Sequence, residues 1–245
     1  MNRFSRLVSL LAVLLVVALG SATAGTLLIS QESPYLAYGY GLSSWNNFTG
    51  DINSAFGGSG NVTVYGSDLT SLSYMLNYSA LMVVARQPGQ ALSATEIASI
   101  TAYEATGRRV LLIGENGAWA AWDNSILATV GGTYSGNDTS ATLNRVVLDS
   151  ITAGSPTLGT AVDGIAVGGL SLYDQNVVTQ WGSGNVVSLL SINVQQDSLG
   201  NFAFDNNLAS WLASGSTPIP EPGTLLLFGS GILGLAGVIR RKINL

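Results

Sequence analysis

The sequence predicts an α/β domain, a three-layer sandwich around a mainly parallel sheet, and three observations lead there. Short continuous apolar runs recur at 26–30, 80–85 and 109–114, the composition of strands covered on both faces. A capping box, Ser93-Ala94-Thr95-Glu96, opens a helical stretch between the second and third of these runs. Strand, helix, strand with a crossover of that length requires parallel pairing and a right-handed connection.

Each element follows in order. Thr26-Leu27-Leu28-Ile29-Ser30 reads as a buried strand, and a polar aromatic loop runs on to Tyr40. Across 44–56, Trp45, Phe48, Ile52 and Phe56 fall at helical spacing, and the glycines between 57 and 60 end that helix. Asn61-Val62-Thr63-Val64-Tyr65 has strand composition, and a helical turn is expected around 69–76 before the strand at 80–85. After the capping box, Ile97, Ile100, Ala102 or Tyr103, and Ala105 continue an apolar face, and Gly107 is placed to close the helix in a left-handed cap. Arg109-Val110-Leu111-Leu112-Ile113-Gly114 is the next buried strand. This arrangement is of flavodoxin-like type.

The second half is less regular. Asp123 is placed to cap a short helix through Leu127, and 133–169, rich in Gly, Ser, Thr and Asn, is expected to hold short edge strands or an inserted hairpin. Val177 to Trp181 and Asn185 to Ser191 flank a glycine turn and read as a C-terminal β-hairpin. Asp205 is expected to cap a last helix, with Leu208, Trp211 and Leu212 facing the sheet.

Composition excludes much chemistry. The chain has no cysteine and no histidine. A Ser-His-Asp triad, a Cys-His pair and a histidine or cysteine zinc site are therefore absent, and catalysis would fall to carboxylates, tyrosine, arginine or hydroxyls. No catalytic residue, cofactor or metal site is assigned. Between Gly25 and Thr217, Arg86, Arg108, Arg109 and Arg145 face thirteen acidic residues, a net charge of −9, which argues against a nucleic-acid partner.

The two ends read as addresses. Arg3 and Arg6 precede an apolar run from Leu7 to Leu19, and Ala22-Thr23-Ala24 has the small-x-small form of a signal peptidase site, so residues 1–24 are expected to be a signal peptide. Residues 25–214 form the exported domain and 215–223 a linker holding Pro220-Glu221-Pro222. The apolar stretch 224–239 reads as a membrane helix, followed by a basic cytoplasmic tail, 240–245, with Arg240, Arg241 and Lys242. Sixteen residues rise about 24 Å as a helix, short of the roughly 30 Å hydrocarbon core, so spanning requires local thinning or snorkelling.

This tail resembles the PEP-CTERM sorting signal, which implies processing by an exosortase-type membrane protease. The protein would be held briefly at the inner membrane and then released to the cell surface or beyond. A second resemblance covers much of the domain. The stretches from Leu92 to Ile97 and Gly107 to Gly114, Trp181-Gly182-Ser183-Gly184-Asn185-Val186-Val187, and Asn207-Leu208-Ala209-Ser210-Trp211-Leu212 resemble non-catalytic members of the class I glutamine amidotransferase-like superfamily. Enzymes of that superfamily use a cysteine and a histidine that this chain lacks, so the resemblance implies the fold without the chemistry.

In an open parallel sheet, ligands gather at the carboxyl ends of the strands. Those positions carry Gln31 and Glu32, Arg86 and Gln87, Glu115 and Asn116, and Asn193 and Asp197. Arg86 could hold a carboxylate or sugar acid, or pair with Glu32 or Glu115. Trp119 and Trp122 could stack on a sugar ring or bury their loop against the sheet. The candidate ligand-binding residues are Glu32, Arg86, Gln87, Glu115, Asn116, Trp119 and Asp197. The leading expectation is an exported surface or matrix protein whose domain is a non-catalytic binding or structural module associated with exopolysaccharide, as the PEP-CTERM resemblance implies. The alternative is a carboxylate-based hydrolase of extracellular polymer using Glu32 with Glu115 or Asp197.

Overall fold

A computed structural model describes residues 25–32 and 38–215. The signal-cleavage residues Ala22 and Ala24, the sorting residues Pro220, Glu221, Pro222, Arg240 and Arg241, and the expected membrane helix at 224–239 lie outside those residues. Among the described residues, no helix is long and apolar enough to cross a membrane.

The first half alternates strand and helix. β1 (Leu27–Ser30) leads through α1 (Asn46–Ala55) to β2 (Val62–Tyr65), and α2 (Leu72–Met75) leads to β3 (Ala80–Val83). α3 (Ala94–Glu104) then connects to β4 (Arg109–Ile113). All four residues of β1 and of β3 are buried, as are Val110 to Ile113 of β4. That two-sided burial is why these runs are uninterrupted apolar sequence. The α1 face formed by Trp45, Phe48, Ile52 and Phe56 is buried as its spacing requires.

Capping follows the sequence at one helix and departs from it at two. Ser93 accepts from the Glu96 amide while Glu96 accepts from the Ser93 amide, a complete capping box, and Gly107 adopts φ +79° just past the helix end. Asp123 does not cap α4 (Ala120–Ala128); it lies inside the first turn and is fully buried. Asp205 likewise sits inside the first turn of α5 (Phe202–Ser214), where Asn201 occupies the cap position but makes no capping bond, its side chain binding Gly159 and Val194 instead. An acidic residue near a helix start suits the helix dipole whether it faces outward or inward, so its type alone does not mark a cap.

The region 133–169 forms two nested ribbons. β5 (Thr133–Asp138) pairs antiparallel with β8 (Asp163–Val167), and between them β6 (Thr142–Asn144) pairs with β7 (Thr157–Gly159). The chain then enters the main sheet through β9 (Leu170–Ser171) and the hairpin β10 (Val178–Trp181) and β11 (Val186–Leu189). The turn between them places Gly182 and Gly184 at φ +59° and +87°, a conformation glycine adopts freely.

The main sheet has seven strands in the order β2-β1-β3-β4-β11-β10-β9. β2, β1, β3, β4 and β11 run parallel, and β10 and β9 each reverse direction relative to their neighbour. The fold is thus mixed α/β with a mainly parallel central sheet. α1 packs against α5, while α3 touches both α2 and α4, so helices gather in two groups beside a sheet whose central strands have no exposed face.

Candidate functional site

The carboxyl ends of β1, β3, β4 and β11 bring most of the expected residues to one edge of the sheet, in three separate groups. The first is built on Arg86, three residues beyond β3. Its Nη2 lies 2.7 Å from Glu32 Oε1 and 2.5 Å from Glu96 Oε1. The guanidinium also sits over the Trp122 ring, 5.3 Å from its centroid, and Trp119 Nε1 donates to the Arg86 carbonyl at 2.6 Å. Of the two pairings open to Arg86, the one with Glu32 forms, and Glu96 joins it.

Glu96 serves two structures at once. Its Oε2 accepts from the Ser93 amide and hydroxyl at 2.8 and 2.9 Å, while Oε1 accepts from the Leu69 amide and from Arg86. Burial acts to raise its pKa, but the Arg86 bond and the two Ser93 bonds outweigh it and bring the group below the usual carboxylate value. Glu32 shows the opposite balance. Burial raises it more than Arg86 lowers it, and the charges of Asp68 and Glu96 add to the rise. Carboxylate oxygens of Glu32, Asp68 and Glu96 lie within 4.8 Å of one another, and Arg86 supplies a positive charge between two of them.

The second group surrounds Glu115, which is 4% exposed. Its Oε2 accepts from the Ile192 amide at 2.8 Å, and its Oε1 accepts from Asn116 Nδ2 at 3.0 Å and Asn193 Nδ2 at 3.1 Å. Burial, assisted by the charge of Asp163, raises its pKa to about 8 against the pull of these hydrogen bonds. Asn116 is also a cap, since its Oδ1 accepts from the Ala118 amide in the turn leading to α4. Beneath them, Asp123 Oδ1 accepts from the Glu115 amide at 3.0 Å, and burial raises the Asp123 pKa to about 8 as well.

The third group holds Asp197, whose Oδ1 accepts from the Asn47 amide at 3.0 Å and fixes the start of α1. Gln87 lies beside the Arg86 group, its amide donating to Gln90 Oε1. Trp119 is 6% exposed and Trp122 is fully buried with its Nε1 on the Ile113 carbonyl. Both rings bury the loop against the sheet, and neither offers a face for a sugar ring. Glu32, Gln87, Asn116 and Asp197 keep partial exposure along this edge, while Arg86, Glu115 and Trp119 lie below it.

Sequence reasoning missed Glu96, Asp68, Asp123, Asp138 and Asp163. Glu96 was absorbed by its capping role. Asp123 carried a signal, being an acid among Trp122, Ile126 and Leu127 on a buried helix. A shallow cleft of about 370 Å³ at the other end of the sheet, lined by Glu104, Gly107, Val130, Ser183 and Asn185, was also not foreseen.

The comparisons with known proteins divide between tail and domain. Residues 218–242 match the PEP-CTERM protein-sorting motif family. The chain carries the sorting signal of an exported protein handled by exosortase. No curated protein matches the sequence. The domain is similar in fold to the mmIFT52 N-terminal domain, with TM-score 0.55 and 11% identity over 79% of this chain and 97% of that one. It is also similar to part of alpha-L-fucosidase isoenzyme 2 from Paenibacillus thiaminolyticus, with TM-score 0.50 and 12% identity over 83% of this chain and 35% of that one. A ThuA-like protein from Bacteroides uniformis aligns over 79% of this chain and 93% of its own at TM-score 0.47 and 11% identity. At such identities the likeness is one of fold.

Proposed function

We propose that this chain is an exported cell-surface or extracellular-matrix protein whose domain is a non-catalytic binding module for exopolysaccharide. The observation that carries the reading is the sorting motif at 218–242, which directs the chain through the membrane-bound exosortase. Export by a signal peptide cleaved after Ala24 and brief anchoring by the helix at 224–239 belong to the same reading. The domain is taken as flavodoxin-like, with the amidotransferase-like arrangement of strands and without its nucleophile.

The polar groups at the sheet edge support binding over hydrolysis. A glycosidase needs two carboxyl groups facing one substrate, one of them free to give up a proton. Glu32 is held by Arg86, and Glu115 is buried under three hydrogen bonds. The partly exposed Glu32, Gln87, Asn116 and Asp197 are the positions assigned to ligand contact, with Arg86, Glu115 and Trp119 holding their loops.

Two measurements test this reading. Mass spectrometry of the mature protein should find a carboxyl terminus near Pro220-Glu221-Pro222 in the wild-type host and an intact Leu245 when exosortase is deleted. Leu245 in both strains would make the tail a plain anchor. Pull-down on the host's own exopolysaccharide should retain the protein, and lack of retention would remove the ligand assignment while leaving the sorting assignment intact.

A further inference from the structure

The ribbon β5–β8 ends on an unusual rung. Asp138 and Asp163 are direct cross-strand partners, 8% and 0% exposed. Like charges set opposite each other on a sheet destabilise it, and more so away from water. Neither residue forms an ion pair among the described residues, where the ion pairs are those of Arg86.

Their oxygens are also short of donors. Asp138 Oδ1 accepts from the Ser140 hydroxyl at 2.9 Å, but among the described residues Asp138 Oδ2 and both oxygens of Asp163 have no partner in normal hydrogen-bond geometry. The hydroxyls of Ser191 and Thr160 and the Ala161 amide lie close enough to Asp163 to lower its pKa as weak donors, but none makes a hydrogen bond of normal geometry to it, and the fully buried Ser191 Oγ is itself unpartnered among the described residues. Thr160 instead donates to the Ser140 carbonyl at 2.6 Å, which draws that loop around the same spot. The surroundings are thus two carboxylates, three hydroxyls, a backbone carbonyl and one backbone amide.

A proton shared between the two aspartates would satisfy one or two of these oxygens and leave the others bare. A hard cation satisfies them together, because oxygen ligands at 2.3–2.6 Å in a flexible arrangement are what calcium takes. The acidic cluster of Glu32, Asp68 and Glu96 differs in one respect that decides between them: it has Arg86 within it. We propose that Asp138 and Asp163, with the hydroxyls of Ser140, Thr160 and Ser191, form a calcium site that clamps the β5–β8 ribbon to the carboxyl edge of the sheet. The attachment point is Gly164, whose amide donates to the Leu190 carbonyl at 2.7 Å just past β11. This inference is independent of the exopolysaccharide reading.

The test uses the full-length chain in non-ionic detergent, stripped with chelator and titrated with calcium chloride while thermal unfolding is followed. Binding to the folded state alone raises the midpoint by about 3–6 °C at ten times the dissociation constant, which for extracellular calcium modules lies at about 10⁻⁴–10⁻³ M. Asp163→Asn and Asp138→Asn should each abolish the shift, and Asp68→Asn, in the cluster that holds Arg86, should leave it unchanged. Wild-type protein should also bind terbium with sensitised luminescence that calcium displaces, a readout that does not depend on the variants folding. No midpoint shift and no displaceable terbium in the wild type at 10 mM calcium would overturn the site. So would a shift that survives in Asp163→Asn or is lost in Asp68→Asn.

Discussion

Glu104 offers a titration that isolates one buried group. It lies at the last position of α3, is 9% exposed, and its carboxyl accepts from the Thr129 hydroxyl at 2.9 Å. Burial raises its pKa from 4.5 to about 7, and the Thr129 bond only partly offsets the rise. The folded state therefore holds the Glu104 proton more tightly than the unfolded chain does. Below pH 4.5 both states are protonated and the group costs nothing. As pH rises from 4.5 to 7 the unfolded chain ionises first, stability falls, and above 7 the loss is complete. The shift corresponds to about 3 kcal/mol. In Glu104→Gln the carbonyl oxygen still accepts from Thr129 but nothing ionises. Urea unfolding should find the variant equal to wild type at pH 4 and about 3 kcal/mol more stable at pH 8. Other raised carboxyls, Glu115 and Asp123 among them, tilt both proteins alike and cancel in the difference. A difference that stays constant between pH 4 and pH 8 would refute the assignment of this proton to Glu104.

Two further substitutions test the packing around the sheet edge. Arg86→Met leaves Glu96 charged and buried without its cation, and should cost about 3–5 kcal/mol in urea unfolding; a cost under about 1 kcal/mol would mean the pair is effectively solvated. Gly164→Ala would set a methyl 2.4 Å from the Glu115 carbonyl and 3.1 Å from Asp123 Oδ2, at a cost of about 3 kcal/mol. Gly131→Ala, at φ +75° in open space, should cost only about 1–2 kcal/mol from backbone strain. Thermal midpoints should separate the two, and equal values would remove the contact argument at Gly164.

The sequence was most readable where burial is two-sided. Runs such as Leu27-Leu28-Ile29 and Val110-Leu111-Leu112-Ile113 have one structural explanation, and the capping box and Gly107 marked both ends of α3. The hairpin was legible from its glycine turn. Its place between β4 and the edge was not, because strand order depends on pairing across the whole chain. At the candidate site, Glu32 and Arg86 were brought together as one of the expected pairings. Glu96 and Asp123 were hidden because a carboxylate in a first helical turn serves the helix whichever way it points, and only the fold decides whether it meets solvent, an arginine or another acid. The opposition of Asp138 and Asp163 was unreadable for a related reason: their register follows from a bulge between Tyr134 and Gly136, and a slip of one residue would turn either side chain to the other face.

The position of β11 carries a consequence for biogenesis. Although its residues come late in the sequence, it lies between β4 and β10 and provides β4 with its second neighbour. Until Val186 to Leu189 have been synthesised and have joined the sheet, β4 presents an open apolar edge. Folding through such distant contacts is slow. β11 and the closing helix α5 both come late in the chain, so the domain is complete only once the residues up to the sorting signal are available.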